Sequence, residues 1–291
     1  MKSTIVGIDM GGTQIRAAQI LDGKPERTIA GSVSATEAAE VILEELFTIT
    51  DQVMDSTVKA IGIGVPSVVD VEKGIVYDVQ NIPSWKEVHL KKYMEARYKV
   101  PVMVNNDANC FALGEKYFGQ GKAYETFVGL NLGTGLGAGI LIDGRLYAGP
   151  NCGAGEFGMV AYKEHFYEYY TSGQFFKNCH NTSGQTVYTK ARKGDPEALA
   201  IWEEFGLHLG NAIQMILYCY DTDCIILGGS ISKAYRFFKD SMWAQVRRFA
   251  YPRSLEHLRV PISKLAHSGV LGAAALYYNE MFTKIRTSPA R

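Results

Sequence analysis

The stretch Ile5-Val6-Gly7-Ile8-Asp9-Met10-Gly11-Gly12-Thr13 decides the fold, because its pattern returns about 120 residues later as Phe127-Val128-Gly129-Leu130-Asn131-Leu132-Gly133-Thr134-Gly135. Each copy is an apolar strand that makes a Gly/Thr turn and comes back as a second apolar stretch, residues 15–21 in the first and 138–142 in the second. Each return ends in Asp-Gly followed by a basic residue, Asp22-Gly23-Lys24 and Asp143-Gly144-Arg145, a strong hairpin signal. Two similar β-hairpins therefore open two similar α/β lobes. A chain of 291 residues also exceeds what one hydrophobic core usually serves.

Working outward, residues 36–55 carry Ala39, Ile42, Leu43, Leu46 and Ile49 at helical spacing. Residues 60–65 form an apolar strand ended by Pro66, residues 100–104 form another, and residues 107–117 have the pattern of the helix after it. In the second half, residues 196–220 hold a core stripe of Leu199, Trp202, Phe205, Leu209, Ile213, Ile216 and Tyr220. A strand over 223–227 ends at Gly228-Gly229, residues 269–278 form an Ala-rich helix, and residues 283–291 carry no pattern. The expected division is a smaller lobe over 1–121, completed by a C-terminal helix over 276–291, and a larger lobe over 122–275.

Thirty basic residues balance thirty acidic ones, so no cationic field is present to attract nucleic acid. Residues 1–4 pass straight into a strand holding Asp9, where a signal peptide needs a continuous apolar core. No run approaches the roughly 18 apolar residues that would span a bilayer. Five scattered cysteines suit a reducing compartment better than a disulfide framework. These features predict a cytoplasmic protein with neither nucleic-acid nor membrane partners.

A turn of small residues brings backbone N–H groups close to a phosphate, because no Cβ obstructs the approach. Thr13 and Thr134 add hydroxyl donors. One such turn alone reads equally well as a plain tight hairpin; two matched turns in a repeat favour phosphate. Residues 133–138 satisfy the dinucleotide pattern G-x-G-x-x-A, but a strand and a turn follow where that fingerprint needs a helix. The G-x-x-x-x-G-K-[ST] signature of a P-loop does not occur.

Taken in order, Asp9-Met10-Gly11-Gly12-Thr13, Asn105-Asn106-Asp107-Ala108-Asn109-Cys110 with Leu113-Gly114-Glu115, Leu132-Gly133-Thr134-Gly135-Leu136-Gly137, Gly153-Ala154-Gly155-Glu156-Phe157-Gly158 and Leu227-Gly228-Gly229 resemble the ROK family of sugar kinases and repressors. The resemblance runs over nearly the whole chain. It implies a two-lobed actin-like ATPase (ribonuclease H-like) α/β fold with duplicated mixed sheets, and ATP-dependent phosphorylation of a hexose, as in glucokinases. It further implies that Gly11, Gly12, Thr13, Gly133, Thr134 and Gly135 hold the ATP phosphates, that Gly228 and Gly229 pack on adenosine, and that Asp9 faces Mg²⁺ through water. Asp107 matches the family's general base. Its position after a strand and before a helix reads otherwise as an N-cap, and a helix N-terminus favours a carboxylate's charge. Asn81, Asn106, Glu156 and Glu168 match sugar-binding positions, alongside Asp107. A homodimer is a family-level implication, and the aromatic segment 166–176 is a candidate interface.

Two departures from the family pattern stand out. Met159 follows Gly158 where a sugar-binding histidine is expected, and the nine residues 159–167 replace a cysteine-rich zinc loop. No structural zinc is therefore expected, since such a site needs about four clustered Cys/His ligands. An apolar wall at Met159 admits a substituted sugar, an N-acetylhexosamine or a β-glucoside, as an alternative substrate. A weakly catalytic sugar-binding or regulatory protein is the remaining alternative.

Overall fold

The computed structural model describes residues 4–79 and 81–287. The opening hairpin forms as its sequence predicts: β1 (Thr4–Met10) pairs antiparallel with β2 (Gln14–Leu21), and β2 with β3 (Lys24–Ser32). At the β2–β3 turn Asp22 and Gly23 both take positive φ, 51° and 76°, the type I′ geometry that matches strand twist. Helix α1 (Ala39–Asp51) follows, and β4 (Val58–Val65) then lies parallel to β1. A small antiparallel sheet, β5 (Val68–Asp70), β6 (Ile75–Tyr77) and β7 (Glu87–Val88), leads through α2 (Leu90–Tyr98) to β8 (Val102–Asn106), which runs parallel to β4. The main sheet is thus ordered β3-β2-β1-β4-β8. Helix α3 (Asp107–Phe118) leaves β8 without a connecting loop.

One face of that sheet packs on α9 (Ser268–Thr287). Val270, Leu271 and Ala274 of α9 are buried with Ile5, Ala18, Ile20 and Ala60 of the strands. The opposite face holds Val6, Ile8, Ile61, Ile63, Val102 and Val104 in one cluster with Ile42 and Leu46 of α1. The alternation along β1 and β4 is what a strand covered on both faces requires.

The repeat begins with β9 (Phe127–Leu132), which turns at residues 133–135 into β10 (Leu136–Ile142). β11 (Arg145–Leu146) closes on β10 through Asp143 and Gly144, with φ of 50° and 75°. The short hairpin β12 (Ala161–Tyr162) and β13 (His165–Phe166) precedes α4 (Tyr167–Thr171), α5 (Gly173–His180) and α6 (Gly184–Ala191). Helix α7 (Pro196–Tyr220) has the bounds its stripe predicts, with Asp195 accepting the Ala198 N–H at 2.9 Å as N-cap and Pro196 in the first turn. Its Trp202, Phe205, Leu209, Ile213 and Ile216 are buried, each contributing about 2 kcal/mol or more by burial. β14 (Ile225–Gly228) then pairs parallel with β9, repeating the relation of β4 to β1, and α8 (Tyr235–Val246) packs on α7.

The chain divides into two compact units. The first holds the residues up to Glu125, Gly139–Ala154, and those from Lys264 onward; the second holds Thr126–Ala138 and Gly155–Ser263. The division expected from the sequence at 121/122 and 275/276 differs from this one: the whole of α9 belongs to the first unit, and so does the excursion 139–154. The physical reason for the excursion is the seat of β10 on α3. Gly139 has no Cβ to strike Ala112 Cβ, and Gly144 N–H donates to Glu125 O at 2.7 Å. Residues 288–291, the end of the expected terminal helix, lie outside the described residues.

The aromatic segment 166–176 is largely internal instead of forming a surface. Phe175 and Phe176 are fully buried against Phe205, and Phe176 also meets Trp202 edge-on. No helix among the described residues is long and apolar enough to cross a membrane.

Candidate active site

In the first unit the register aligns Asp9 of β1 with Gly64 of β4, and Gly64 with Asn105 of β8. Strands lie about 4.8 Å apart, so Asp9 and Asn105 stand roughly 10 Å apart at one level. This level is the C-terminal end of three parallel strands, where open α/β sheets bind their ligands. Asp9 is mostly enclosed. Burial pushes its carboxyl above the ordinary carboxylate range, with the Arg16 charge acting in the opposite direction. Its Oδ2 lies so close to Gly269, in the first turn of α9, that a Cβ there would overlap it. The partial positive charge of a helix N-terminus is thereby placed beside the carboxylate. Gly269 was not singled out from the sequence; the Ser268-Gly269 pair at a helix start is the only local signal for it.

Asp107 is the first residue of α3, and the N-cap is its neighbour Asn106. Asn106 Oδ1 accepts the Ala108 N–H at 2.8 Å and the Asn109 N–H at 3.3 Å, while its Nδ2 donates to Ser67 O at 3.4 Å. The amide expected to bind sugar therefore already caps a helix. Capping, the competing reading of Asp107, falls on Asn106, although Asp107 Oδ1 shares the Ala108 N–H at 2.9 Å. The Cys110 thiol is pushed well up, mainly by burial and then by the nearby charges of Asp107 and Asp9. One buried sulfur thus senses both carboxylates.

The two Gly turns differ from the expectation in detail. Gly11 N–H donates to Gln14 O at 2.8 Å and Gly133 N–H to Gly135 O at 3.0 Å, so both groups close their own turns. A Cβ on Gly12 would fall 2.5 Å from Asn81 Cβ. Gly12 is thus needed for contact with Asn81 whatever it does for a ligand. Around Gly133, by contrast, no atom of the described residues beyond its chain neighbours would lie within 4 Å of a Cβ.

In the second unit Glu168, on α4, reaches the second turn. Its Oε2 accepts the Leu136 N–H at 2.9 Å and its Oε1 accepts the Gln174 amide at 2.6 Å, and a Cβ on Gly135 would meet Oε2 at 2.5 Å. The nine residues before Glu168 suffice to deliver it, folded as the β12–β13 hairpin. Partial burial, with the Glu168 charge adding to it, holds the Glu156 carboxyl above its usual range. These two carboxylates are therefore neighbours. Met159, three residues after Glu156, is 60% exposed.

Gly133 and Thr134 border a pocket whose wall includes Gly173, Gln185, Tyr188 and Lys233. Gly173 and Gly184 open α5 and α6 behind the N-caps Ser172 and Ser183, the sequence signal that could have marked this wall. Gly228-Gly229 does not line it. Gly229, at φ 81°, lies so close to Leu132 O that a Cβ would overlap it, and the turn delivers Ser230 and Lys233 to the pocket instead. A wider hollow on the first unit is lined by Glu40, Glu44 and Glu45, whose charge repels phosphate.

A family model of the ROK family matches residues 5–280. The chain belongs to the ROK family. Among ROK relatives, a glucokinase of Thermotoga maritima is 27% identical, the match covering 94% of this chain and 97% of that one. A xylose repressor of Bacillus subtilis is also 27% identical, over 84% of this chain and 69% of its own length. The crystal structure of a ROK family glucokinase from Streptomyces griseus in complex with glucose and AMPPNP superimposes with a TM-score of 0.81 at 28% identity, covering 94% of this chain and 99% of that one. The fold is accordingly the actin-like ATPase fold of ROK sugar kinases.

Proposed function

We propose that this ROK protein is an ATP-dependent sugar kinase acting on a hexose hydroxyl, as a glucokinase does. The observation that carries the reading is the alignment of Asp9 with Asn105 on one level of parallel strand ends, with Asp107 opening α3 two residues past Asn105 and Asn106 taking the capping role beside it. In this reading Asp107 accepts the proton of the attacking hydroxyl, and positioning with charge neutralisation supplies the rest of the barrier reduction. Phosphates are met by the groups beyond the turn-closing N–H of Gly11 and Gly133, namely Gly12, Thr13, Thr134 and Gly135. Asp9 fits a hydrated Mg²⁺, being a carboxylate at a strand end next to a Gly turn; the ion would neutralise phosphate charge. Asn81, Glu156 and Glu168 orient sugar hydroxyls, each Glu168 oxygen keeping acceptor capacity beyond its protein bond. Gly228 and Gly229 act on adenosine indirectly, by placing Ser230 and Lys233. The protein works in the cytoplasm on small molecules.

Gly133 offers a clean test of the phosphate role. Gly133→Ala adds a methyl group into space the protein leaves open, so its thermal midpoint should not change. Affinity for a non-hydrolysable ATP analogue, measured by calorimetry, should fall about tenfold or more, ~1.4 kcal/mol. Unchanged affinity means that the turn is only a turn.

Met159 favours a second substrate reading, since its exposed side chain offers apolar surface near Glu156 to an N-acetylated or β-linked substituent. A coupled ADP-release assay over glucose, mannose, fructose, N-acetylhexosamines and β-glucosides separates the two. Sugar-stimulated ADP release supports the kinase. Sugar binding without any release supports a regulatory member like the xylose repressor.

A further inference from the structure

Nine non-glycine residues among those described have positive φ. Eight are exposed, and six of those eight sit in two-residue hairpin turns (Asp22, Asp143, Lys163) or at helix C-caps (Lys99, Asn181, Asp221), where the left-handed conformation is routine. Cys152, at φ 56°, is the exception: it is 3% exposed and lies in neither kind of place. A side chain with a Cβ is strained there, and glycine would be relaxed. The strain must be held by what the side chain does.

The Cys152 thiol donates to Asn105 Oδ1 at 3.3 Å and accepts from Asn109 Nδ2 at 3.6 Å. Asn105 Oδ1 also accepts Asn109 Nδ2 at 2.9 Å and the Asn106 N–H at 2.8 Å. Both asparagines are buried, where polar groups are costly unless mutually bonded. Asn105 lies two residues before Asp107 and Asn109 two residues after it, so the knot grips the turn from β8 into α3 on both sides of that carboxylate.

We propose that Cys152 is a positioning residue for Asp107, its thiol locking the Asn105–Asn109 turn that aims the carboxylate. The role in turnover rests on the kinase reading; the locking of the turn does not. Cys152→Gly relieves the backbone and removes the thiol. Its thermal midpoint should stay level or rise, while kcat falls roughly tenfold with the KM for ATP unchanged. Cys152→Ser keeps an O–H donor and should restore most of kcat. Amide hydrogen exchange at residues 106–109 should quicken in Cys152→Gly and return toward wild type in Cys152→Ser, whether or not the protein turns over any sugar. Wild-type kcat, or wild-type exchange, in a well-folded Cys152→Gly protein overturns the proposal. So does a loss of activity that follows a fall in thermal midpoint equally in both variants, which is the mark of a merely structural cysteine. A wild-type protein inactive on every sugar, yet with faster exchange in Cys152→Gly, sinks the kinase reading and leaves the locked turn standing.

Discussion

Asp107→Asn should lower kcat by about 10²–10⁴-fold while binding of ATP and sugar changes little. The substitution removes the proton acceptor and keeps the shape. Helix α3 should survive it, because Asn106 carries the cap by accepting from both Ala108 and Asn109, and an asparagine at 107 can still accept the shared Ala108 N–H. A loss of kcat with an unchanged thermal midpoint therefore assigns the effect to chemistry. Steady-state kinetics on purified protein, paired with thermal unfolding, make the comparison. Turnover within a few-fold of wild type means that proton removal lies elsewhere.

Gly62→Ala should destabilise the protein by about 3 kcal/mol or more, to the point of poor solubility. On strand propensity alone the exchange is favourable, since glycine costs roughly 0.5–1 kcal/mol in a strand interior. Packing reverses the sign. A Cβ on Gly62 would overlap the backbone carbonyl of Ala273, and one on Gly7 that of Val270. Main chain cannot rotate aside as the tip of a lysine can, so α9 would have to leave the sheet. Its first turn would then withdraw from Asp9, and the surviving folded fraction should lose activity as well. Urea unfolding checks the stability, with Gly133→Ala as the matched glycine substitution that leaves it unchanged.

These two glycines also show how far the sequence reaches. The hairpins were legible because Asp-Gly after an alternating strand is a local signal, and α7 because its apolar stripe and its Asp195-Pro196 start are both local. The place of Asp107 between a strand and a helix was legible from the local pattern, and its role as base is what the family motif implies. The N-cap, the competing reading of Asp107, lies one residue earlier at Asn106, since Asn and Asp fill a cap equally well and only the backbone distinguishes them. Cys152 and Gly269 were out of reach for another reason. Their importance comes from Asn105, 47 positions away, and from Asp9 at the opposite end of the chain, and no spacing rule connects such pairs. The division of the chain failed at residues 139–154 for the same cause, because Gly139 becomes informative only when α3 lies beside it.

The most direct test of the kinase assignment is to measure ADP and sugar phosphate together, by mass spectrometry, after incubating the protein with ATP, Mg²⁺ and each candidate sugar. At least one sugar should yield equal amounts of the two products, and Asp107→Asn should yield almost none. If sugars bind by calorimetry but none yields sugar phosphate above the protein-free control, the chain is not a kinase and the reading as a sugar-binding regulatory member takes its place.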